Sequence, residues 1–154
     1  MDEKLIQLQT IGFTLAGAWE LRNDEPTVVL DEAYQGKSNI LYAFVADTKL
    51  MYFGKTIRTL AKRMAGYESG HRSQITNHRN HEELRSCLKK GASVEIYVLP
   101  DNGLLHYGEF HINLAAGLED NLIKTLSPPW NGGQKETENE TLEPTIQVSN
   151  SDSE

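Results

Sequence analysis

The sequence ILYAFVADTKLMYF, residues 40–53, sets the architecture of this 154-residue chain. Residues 40–46 are apolar without interruption, which is typical of a central strand that is covered on both faces. Asp47, Thr48 and Lys49 then predict a turn, and residues 50–53 return as the partner strand. The stretch therefore predicts a β-hairpin at the centre of a sheet.

The length of the turn determines which side chains share a face of this hairpin. With a three-residue loop, Ala46 pairs with Leu50, and Tyr42 and Tyr52 become diagonal neighbours on one face. A two-residue loop would place the two tyrosines on opposite faces. We expect the three-residue loop, although two tyrosines in a hairpin alone more often serve packing than chemistry.

Strands and helices alternate on both sides of the hairpin. The patterns predict a helix at 4–11, an N-terminal hairpin of 18–21 and 27–30, a helix with the stripe Ile57, Leu60, Ala61 and Met64, a helix at 81–90, strands at 94–98 and near 110–114, and a helix at 115–126. Thr56 or Thr59 can cap the first helix after the central hairpin. This order predicts an α+β domain with a small central antiparallel sheet flanked by helices.

Charge is distributed unevenly along the chain, whose net charge is −7. Residues 134–154 are acidic and nearly devoid of apolar side chains, so we expect one domain over 1–133 followed by a disordered acidic tail. Residues 55–90 carry nine basic side chains against three acidic ones. Such a segment is compatible with phosphate binding, and equally with an ordinary solvated surface.

Several classes of protein are excluded or disfavoured by composition. The single cysteine, Cys87, rules out an intrachain disulfide framework and a cysteine-based zinc cluster. The longest apolar run is far shorter than the ~20 residues that span a bilayer, and the acidic N-terminus does not resemble a signal peptide. We therefore expect a cytoplasmic protein without a membrane role. His71, His78 and His81 lack the spacing of zinc ligands and are expected on a loop surface.

Glu119 is the most informative polar residue of the last predicted helix. It lies within the apolar stripe, because Leu122, Ile123 and Leu126 follow at i+3, i+4 and i+7. A carboxylate there is costly unless a cation or a metal ion meets it. A structural ion pair, or a position at the edge of the stripe, explains the pattern equally well.

These segments, taken in order, resemble the GIY-YIG nuclease family. The matching segments are Ile40-Leu41-Tyr42 for Gly-Ile-Tyr, Tyr52-Phe53-Gly54 for Tyr-Ile-Gly, Leu60-Ala61-Lys62-Arg63 for the family's Leu-x-x-Arg, the helix around Glu119, and Pro128-Pro129-Trp130-Asn131 with the closing asparagine. The likeness covers residues 39–131. Ile40 and Phe53 depart from the family pattern, but both occupy packing or backbone positions.

The resemblance implies a metal-dependent endonuclease that hydrolyses phosphodiester bonds in double-stranded DNA. Glu119 would hold Mg²⁺ or Mn²⁺, and Arg63 would bind the scissile phosphate. Tyr42 would activate water with help from Lys55 and the metal ion, and Tyr52 is its main rival for that role. Two further residues complete the set: Tyr67 would support Arg63 or contact phosphate, and Asn131 would hold the Glu119 region or DNA.

The basic segment would then contact DNA beside the site. The candidate contacts are Arg58, Lys62, Arg72, Arg79, Arg85, Lys89 and Lys90. One site cuts one strand, so cleavage of both strands needs two protomers or two successive nicks, and we expect self-association. Two alternatives stay open: a catalytically silent DNA-binding module of the same fold, and a structural domain that matches the motifs by chance. The joint presence of the site residues favours the enzyme.

Overall fold

A five-stranded antiparallel sheet forms the centre of the computed structural model, which describes residues 2–132. The elements in chain order are α1 (Glu3–Thr10), β1 (Thr14–Arg22), β2 (Glu25–Leu30), α2 (Glu32–Gln35), β3 (Ile40–Ala46), β4 (Lys49–Thr56), α3 (Leu60–Ser69), α4 (Ile75–Lys89), β5 (Val94–Pro100), β6 (His106–Tyr107), β7 (Phe110–His111), α5 (Leu114–Leu126) and α6 (Pro129–Gly132). The strand order is β2-β1-β5-β3-β4, which leaves β2 and β4 at the edges. The predicted α+β class with its N-terminal hairpin is confirmed.

The central hairpin has the predicted pairing of its strands, but its turn differs from the predicted turn. Its turn contains only two residues, Asp47 and Thr48, both with positive φ, so the predicted three-residue loop is wrong. A bulge at Met51 then shifts the register by one residue, and Phe44 pairs with Tyr52 as predicted. The bulge therefore returns the tyrosines of the two strands to the same face.

Strand β3 is buried along its whole length because helices cover both faces of the sheet. On one face, Tyr42 and Phe44 pack with residues of α3 and α4 in a first apolar layer. On the other face, Leu41 and Phe53 pack with residues of α1 and α5 in a second layer. Helix α3, which carries Arg63 and Tyr67, and helix α5, which carries Glu119, thus lie on opposite faces of the sheet.

Two helix predictions require correction. Helix α3 begins at Leu60 after the Thr59 cap, so Ile57 lies outside it and is 76% exposed. Helix α4 begins at Ile75 rather than at 81. Its first turns were not predicted because they are buried through the polar side chains of Asn77 and Asn80. Hydrophobic periodicity does not detect a helix face that is buried through polar groups.

Smaller differences concern short elements and histidines. The strand predicted at 110–114 is only two residues long and pairs with β6, outside the central sheet. Helices α2 and α6 were not predicted. His78 and His81 lie on α4 rather than on a loop, and His81 is buried between the Tyr67 carbonyl and Glu25.

The predicted acidic tail, 134–154, lies outside the described residues. Over residues 2–132, no helix combines the length and the apolar character that crossing a membrane requires.

Candidate active site

Three buried phenols form a hydrogen-bonded cluster on the α3 face of the sheet. The Tyr67 hydroxyl lies 2.7 Å from the Tyr42 hydroxyl and 3.4 Å from the Tyr52 hydroxyl. Burial is the main reason that the pKa of each phenol is raised above its usual value. The cluster is therefore neutral at physiological pH in this geometry.

Arg63 extends this cluster toward solvent. One of its terminal nitrogens donates to the Tyr67 hydroxyl at 2.8 Å, and the other donates to Asn77 Oδ1 at 2.8 Å. The guanidinium also lies over the Tyr67 ring, 4.1 Å from its centroid. Asn77 in turn donates to the Gln74 side chain. The position of the Arg63 charge is thus fixed from two helices.

Glu119 meets a cation, as its place in an apolar stripe requires. Lys55 Nζ lies 2.8 Å from Glu119 Oε1, and the Glu119 side chain is only 19% exposed. Lys55 is the more exposed partner, with 45% of its side chain accessible to solvent. In this structure Lys55 therefore forms an ion pair with Glu119. The sequence-based interpretation had instead expected the Lys55 charge to act on Tyr42.

The edge strand β4 brings these groups to one place although they come from opposite faces. Alternate residues of a strand project to opposite sides, so Tyr52 joins the phenol cluster while Lys55 projects toward α5. Gly54 lies between them, and a Cβ added there would be 2.5 Å from the Tyr42 hydroxyl. The backbone at Gly54 is therefore as close to the phenol as it can be.

An open cleft of about 560 Å³ lies beside this edge. Its lining residues are Lys55, Thr56, Ile57, Arg58, Arg63, Gln74, Ile75, Thr76 and Asn77. Three of them are cationic, so the cleft suits an anionic ligand. Gln74 and Asn77 were missed by the sequence analysis, because α4 was predicted to begin after them.

Asn131 is engaged with the backbone of the same strand. Its Oδ1 accepts from the Phe53 N–H at 2.8 Å, and its Nδ2 donates to the Phe53 carbonyl at 3.0 Å. Both groups of Phe53 point away from β3 at the open edge of the sheet, and Asn131 is only 4% exposed. Asn131 thus closes the edge of β4 and anchors α6 against it.

The predicted DNA contacts fall into separate environments. Arg58 lines the cleft, whereas Arg85 and Lys89 pair with Asp24 at the tip of the N-terminal hairpin, at 2.7 and 3.1 Å. The ion pairs with Lys89 and Arg85 hold the pKa of Asp24 below its usual value. Arg79 lies near Trp130 in a small recess, and the exposed remainder is Lys62, Arg72 and Lys90.

The donor set for a divalent cation is a single carboxylate. Among residues 2–132, no three His, Cys, Asp or Glu side chains come close enough to form a metal site. Glu119 alone fits Mg²⁺, which commonly keeps several waters and takes one or two carboxylates together with substrate phosphates. Lys55 Nζ already lies beside this carboxylate as a positive charge.

Comparison with known proteins finds a sequence relative and solved structures with the same fold. The chain is 30% identical to Endonuclease II of Enterobacteria phage T4 in an alignment of 117 residues that covers 73% of this chain and 85% of that protein. The structure of a mutant of bacteriophage T4 EndoII matches with a TM-score of 0.65 and 26% identity, covering 82% of this chain and 97% of that one.

A second solved structure shows the same fold at lower similarity. The restriction endonuclease HPY188I, in complex with product DNA, matches with a TM-score of 0.51 and 21% identity over 82% of each chain. No family model matches the chain.

Proposed function

The chain belongs to the family of phage T4 Endonuclease II, and from this we propose that it is a DNA endonuclease that hydrolyses phosphodiester bonds. The observation that carries the proposal is the convergence of Arg63, Lys55 and Glu119 with three phenols at the edge of β4. We also propose that the family is of the GIY-YIG type. The pairing of Tyr42 with Gly54 across the hairpin supports that assignment.

Arg63 is the proposed phosphate-binding group. A guanidinium has five N–H donors in a fixed fork, and Tyr67 and Asn77 engage only part of them. The remaining donors suit the oxygens of a scissile phosphate, whose negative charge grows toward the transition state. Arg58 lines the same cleft and supplies a second positive charge for the flanking backbone.

Glu119 is the proposed ligand of Mg²⁺ or Mn²⁺. A divalent cation in such a site supplies charge stabilisation and lowers the pKa of bound water. Lys55 and the cation compete for the same carboxylate, and Lys55 is exposed enough to turn toward the substrate phosphate. We propose that Lys55 holds Glu119 in place until the substrate complex forms.

Tyr42 is retained as the proposed base, with Tyr52 as its rival. Both phenols must lose a proton to act in this way, and burial opposes that loss. The Arg63 charge works in the other direction and favours the ionised phenols. We propose that Tyr67, which joins Arg63 to both phenols, carries this influence as a positioning residue.

DNA is the proposed partner and the cytoplasm the proposed compartment. We propose that the exposed bases Arg58, Lys62, Arg72 and Lys90 contact the phosphate backbone and make binding salt-dependent. Arg79 is a weaker candidate, and Arg85 and Lys89 serve to attach the N-terminal hairpin to α4. Cleavage of both strands is proposed to use two associated protomers.

Plasmid nicking tests the proposal. Supercoiled DNA with Mg²⁺ is compared for wild type, Glu119→Gln, Arg63→Ala and the control Asp120→Asn, which alters an exposed carboxylate next to Glu119. We expect the first two variants to lose about 100-fold or more in cleavage rate, while the control matches wild type. Gel shifts without metal should show DNA binding by Glu119→Gln.

Other outcomes would replace the proposal. Equal nicking by all four proteins would place the active site elsewhere. DNA binding by wild type without cleavage of any duplex would favour the silent binding module instead.

A further inference from the structure

His81 of α4 joins the end of α3 to the N-terminal hairpin of β1 and β2. Its Nδ1 lies 2.9 Å from the Tyr67 carbonyl oxygen, and its Nε2 lies 3.0 Å from Glu25 Oε1. His81 is only 8% exposed. One buried ring thus connects a strand of the hairpin, the helix that carries Arg63, and α4.

The two contacts of this ring require it to carry both of its protons. A carbonyl oxygen and a carboxylate oxygen only accept hydrogen bonds, so each ring nitrogen must donate. A neutral imidazole has a single N–H and can make only one of these two bonds. The geometry therefore corresponds to an imidazolium at His81, whose charge Glu25 balances.

The end of α3 favours the same charge. Carbonyls of the last helical turn lack intrahelical partners and form the negative end of the helix dipole, and the Tyr67 carbonyl is one of them. Gly70 ends the helix with φ 55°, and a Cβ added there would lie 2.5 Å from His81 Cγ. The ring is therefore as close to the helix end as the backbone permits.

Glu25 is the carboxylate that balances His81, because the neighbouring charges have other partners. The charged and titratable groups on the surrounding elements are Asp24, Glu25, Glu68, His78, Arg85 and Lys89. Arg85 Nε lies 4.0 Å from Glu25 Oε2, the oxygen that His81 does not use. Asp24 pairs with Arg85 at 2.7 Å, and Glu68 accepts from a backbone N–H of β2.

We propose that His81, in its doubly protonated form, is a positioning residue for DNA cleavage. It acts through Tyr67, whose hydroxyl accepts from Arg63 and lies 2.7 Å from the Tyr42 hydroxyl. The role rests on the proposed nuclease function. It is complete at low pH and weakens as pH rises, because a ring that has lost one proton can donate to only one of its two acceptors.

Three substitutions separate the bonds of this ring. In asparagine the amide nitrogen takes the place of Nδ1, so His81→Asn keeps a donor for the Tyr67 carbonyl and loses the bond to Glu25. Glu25→Ala removes the same bond from the other side, at a side chain that is 56% exposed. Glu25→Gln is the conservative rescue, because an amide accepts from the charged ring and donates to the neutral one. The exposed His71 supplies the control, His71→Asn.

Plasmid nicking and ring protonation are measured over the same pH range. NMR of the ring nitrogens in the free protein should show both protons on His81 at low pH. There the wild type should cleave about tenfold faster than His81→Asn and Glu25→Ala. This ratio should fall toward one as the second ring proton is lost.

The remaining variants provide the rescue and the control. Glu25→Gln should match wild type at low pH and keep its advantage over Glu25→Ala as pH rises. His71→Asn should match wild type throughout. Circular dichroism identifies the conditions in which each variant is folded, and Glu25→Ala carries the comparison if His81→Asn does not fold.

Two results would overturn the role of His81. One is a ring with a single proton at every pH at which the protein is folded. The other is a cleavage ratio that does not follow ring protonation, which would make the bond to Glu25 structural only. Both results leave the nuclease proposal intact. A wild type that nicks no DNA would instead defeat the nuclease proposal, and the positioning role with it.

Discussion

Gly54 is the position where the edge strand and the phenol cluster meet most closely. An alanine Cβ there would lie 2.5 Å from the Tyr42 hydroxyl and ring, so the phenol must move. We expect Gly54→Ala to lower the cleavage rate by about tenfold or more and to destabilise the fold by about 1–3 kcal/mol. Plasmid nicking and thermal melting measure the two effects.

Gly117 offers the matched control for this substitution. It lies in α5, and an added Cβ would meet no atom within 4 Å. Gly117→Ala should retain wild-type cleavage and gain about 0.5–1 kcal/mol from helix propensity. Full activity of Gly54→Ala would show that the Tyr42 position does not matter for cleavage.

Asn131 has a different expected effect, because its bonds are to the backbone. Asn131→Ala leaves the N–H and C=O of Phe53 without their partner, which costs about 1–3 kcal/mol for each buried group. We expect a clear loss of stability in urea and residual cleavage at temperatures where the variant is folded. Complete loss of cleavage at unchanged stability would assign Asn131 to the chemistry instead.

The buried phenols make stability dependent on alkaline pH. The pKa values of Tyr42, Tyr52 and Tyr67 are raised on folding, so above about pH 10 the unfolded chain releases these protons first. The free energy of unfolding should be maintained below that pH and fall as pH rises further. Absorbance titration should show the three phenols ionising together with the loss of circular dichroism. Ionisation of all six tyrosines in the folded state would contradict this.

Among the elements, the β3–β4 hairpin shows how a wrong local prediction can preserve a correct pairing. The two-residue turn and the bulge at Met51 shift the register in opposite senses, so their effects cancel at Tyr52. Removing Met51 should therefore give a regular hairpin in which Phe44 still pairs with Tyr52. We expect the deletion to lower stability through lost packing, by about 2–5 kcal/mol, and to retain cleavage within about tenfold.

A matched deletion beyond the bulge distinguishes pairing from packing. Deleting Thr56 instead leaves the pairing up to Lys55 but shortens the connection to α3, which carries Arg63. Cleavage should then be lost even where the protein folds. Inactivity of the Met51 deletion with a folded hairpin would mean that the bulge itself shapes the site.

The elements that the sequence predicted well are those with strong periodicity or continuous apolar runs. Strand β3 and helix α5 fall into this group, and the stripe position of Glu119 correctly required a cation. The start of α4 was missed because Asn77 and Asn80 bury polar groups, whose partners are distant in sequence. Similarly, Lys55 could not be assigned to Glu119, because only the edge position of β4 brings the two together.

For the molecule as a whole, the acidic segment 134–154 dominates the net charge. It contributes most of the −7, so its removal leaves the domain much closer to neutral. We expect deletion of 134–154 to tighten DNA binding at low salt, because a tethered polyanion competes for cationic side chains. The gain should fade as ionic strength rises.

Titrations of labelled duplex at several salt concentrations measure this effect. A variant with the tail acids changed to their amides should behave like the deletion, since only charge is removed. Unchanged affinity at low salt would show that the segment does not compete for the DNA site.

The edge strand also has a consequence for how the protein loses its activity. The elements that carry the site residues are held by two separate apolar layers, one on each face of the sheet. A partly melted species that kept only one layer would therefore position only part of the active site. The cleavage rate therefore measures the fraction of fully folded molecules. Heat inactivation should closely follow the loss of native protein, with no early phase in which folded protein is inactive.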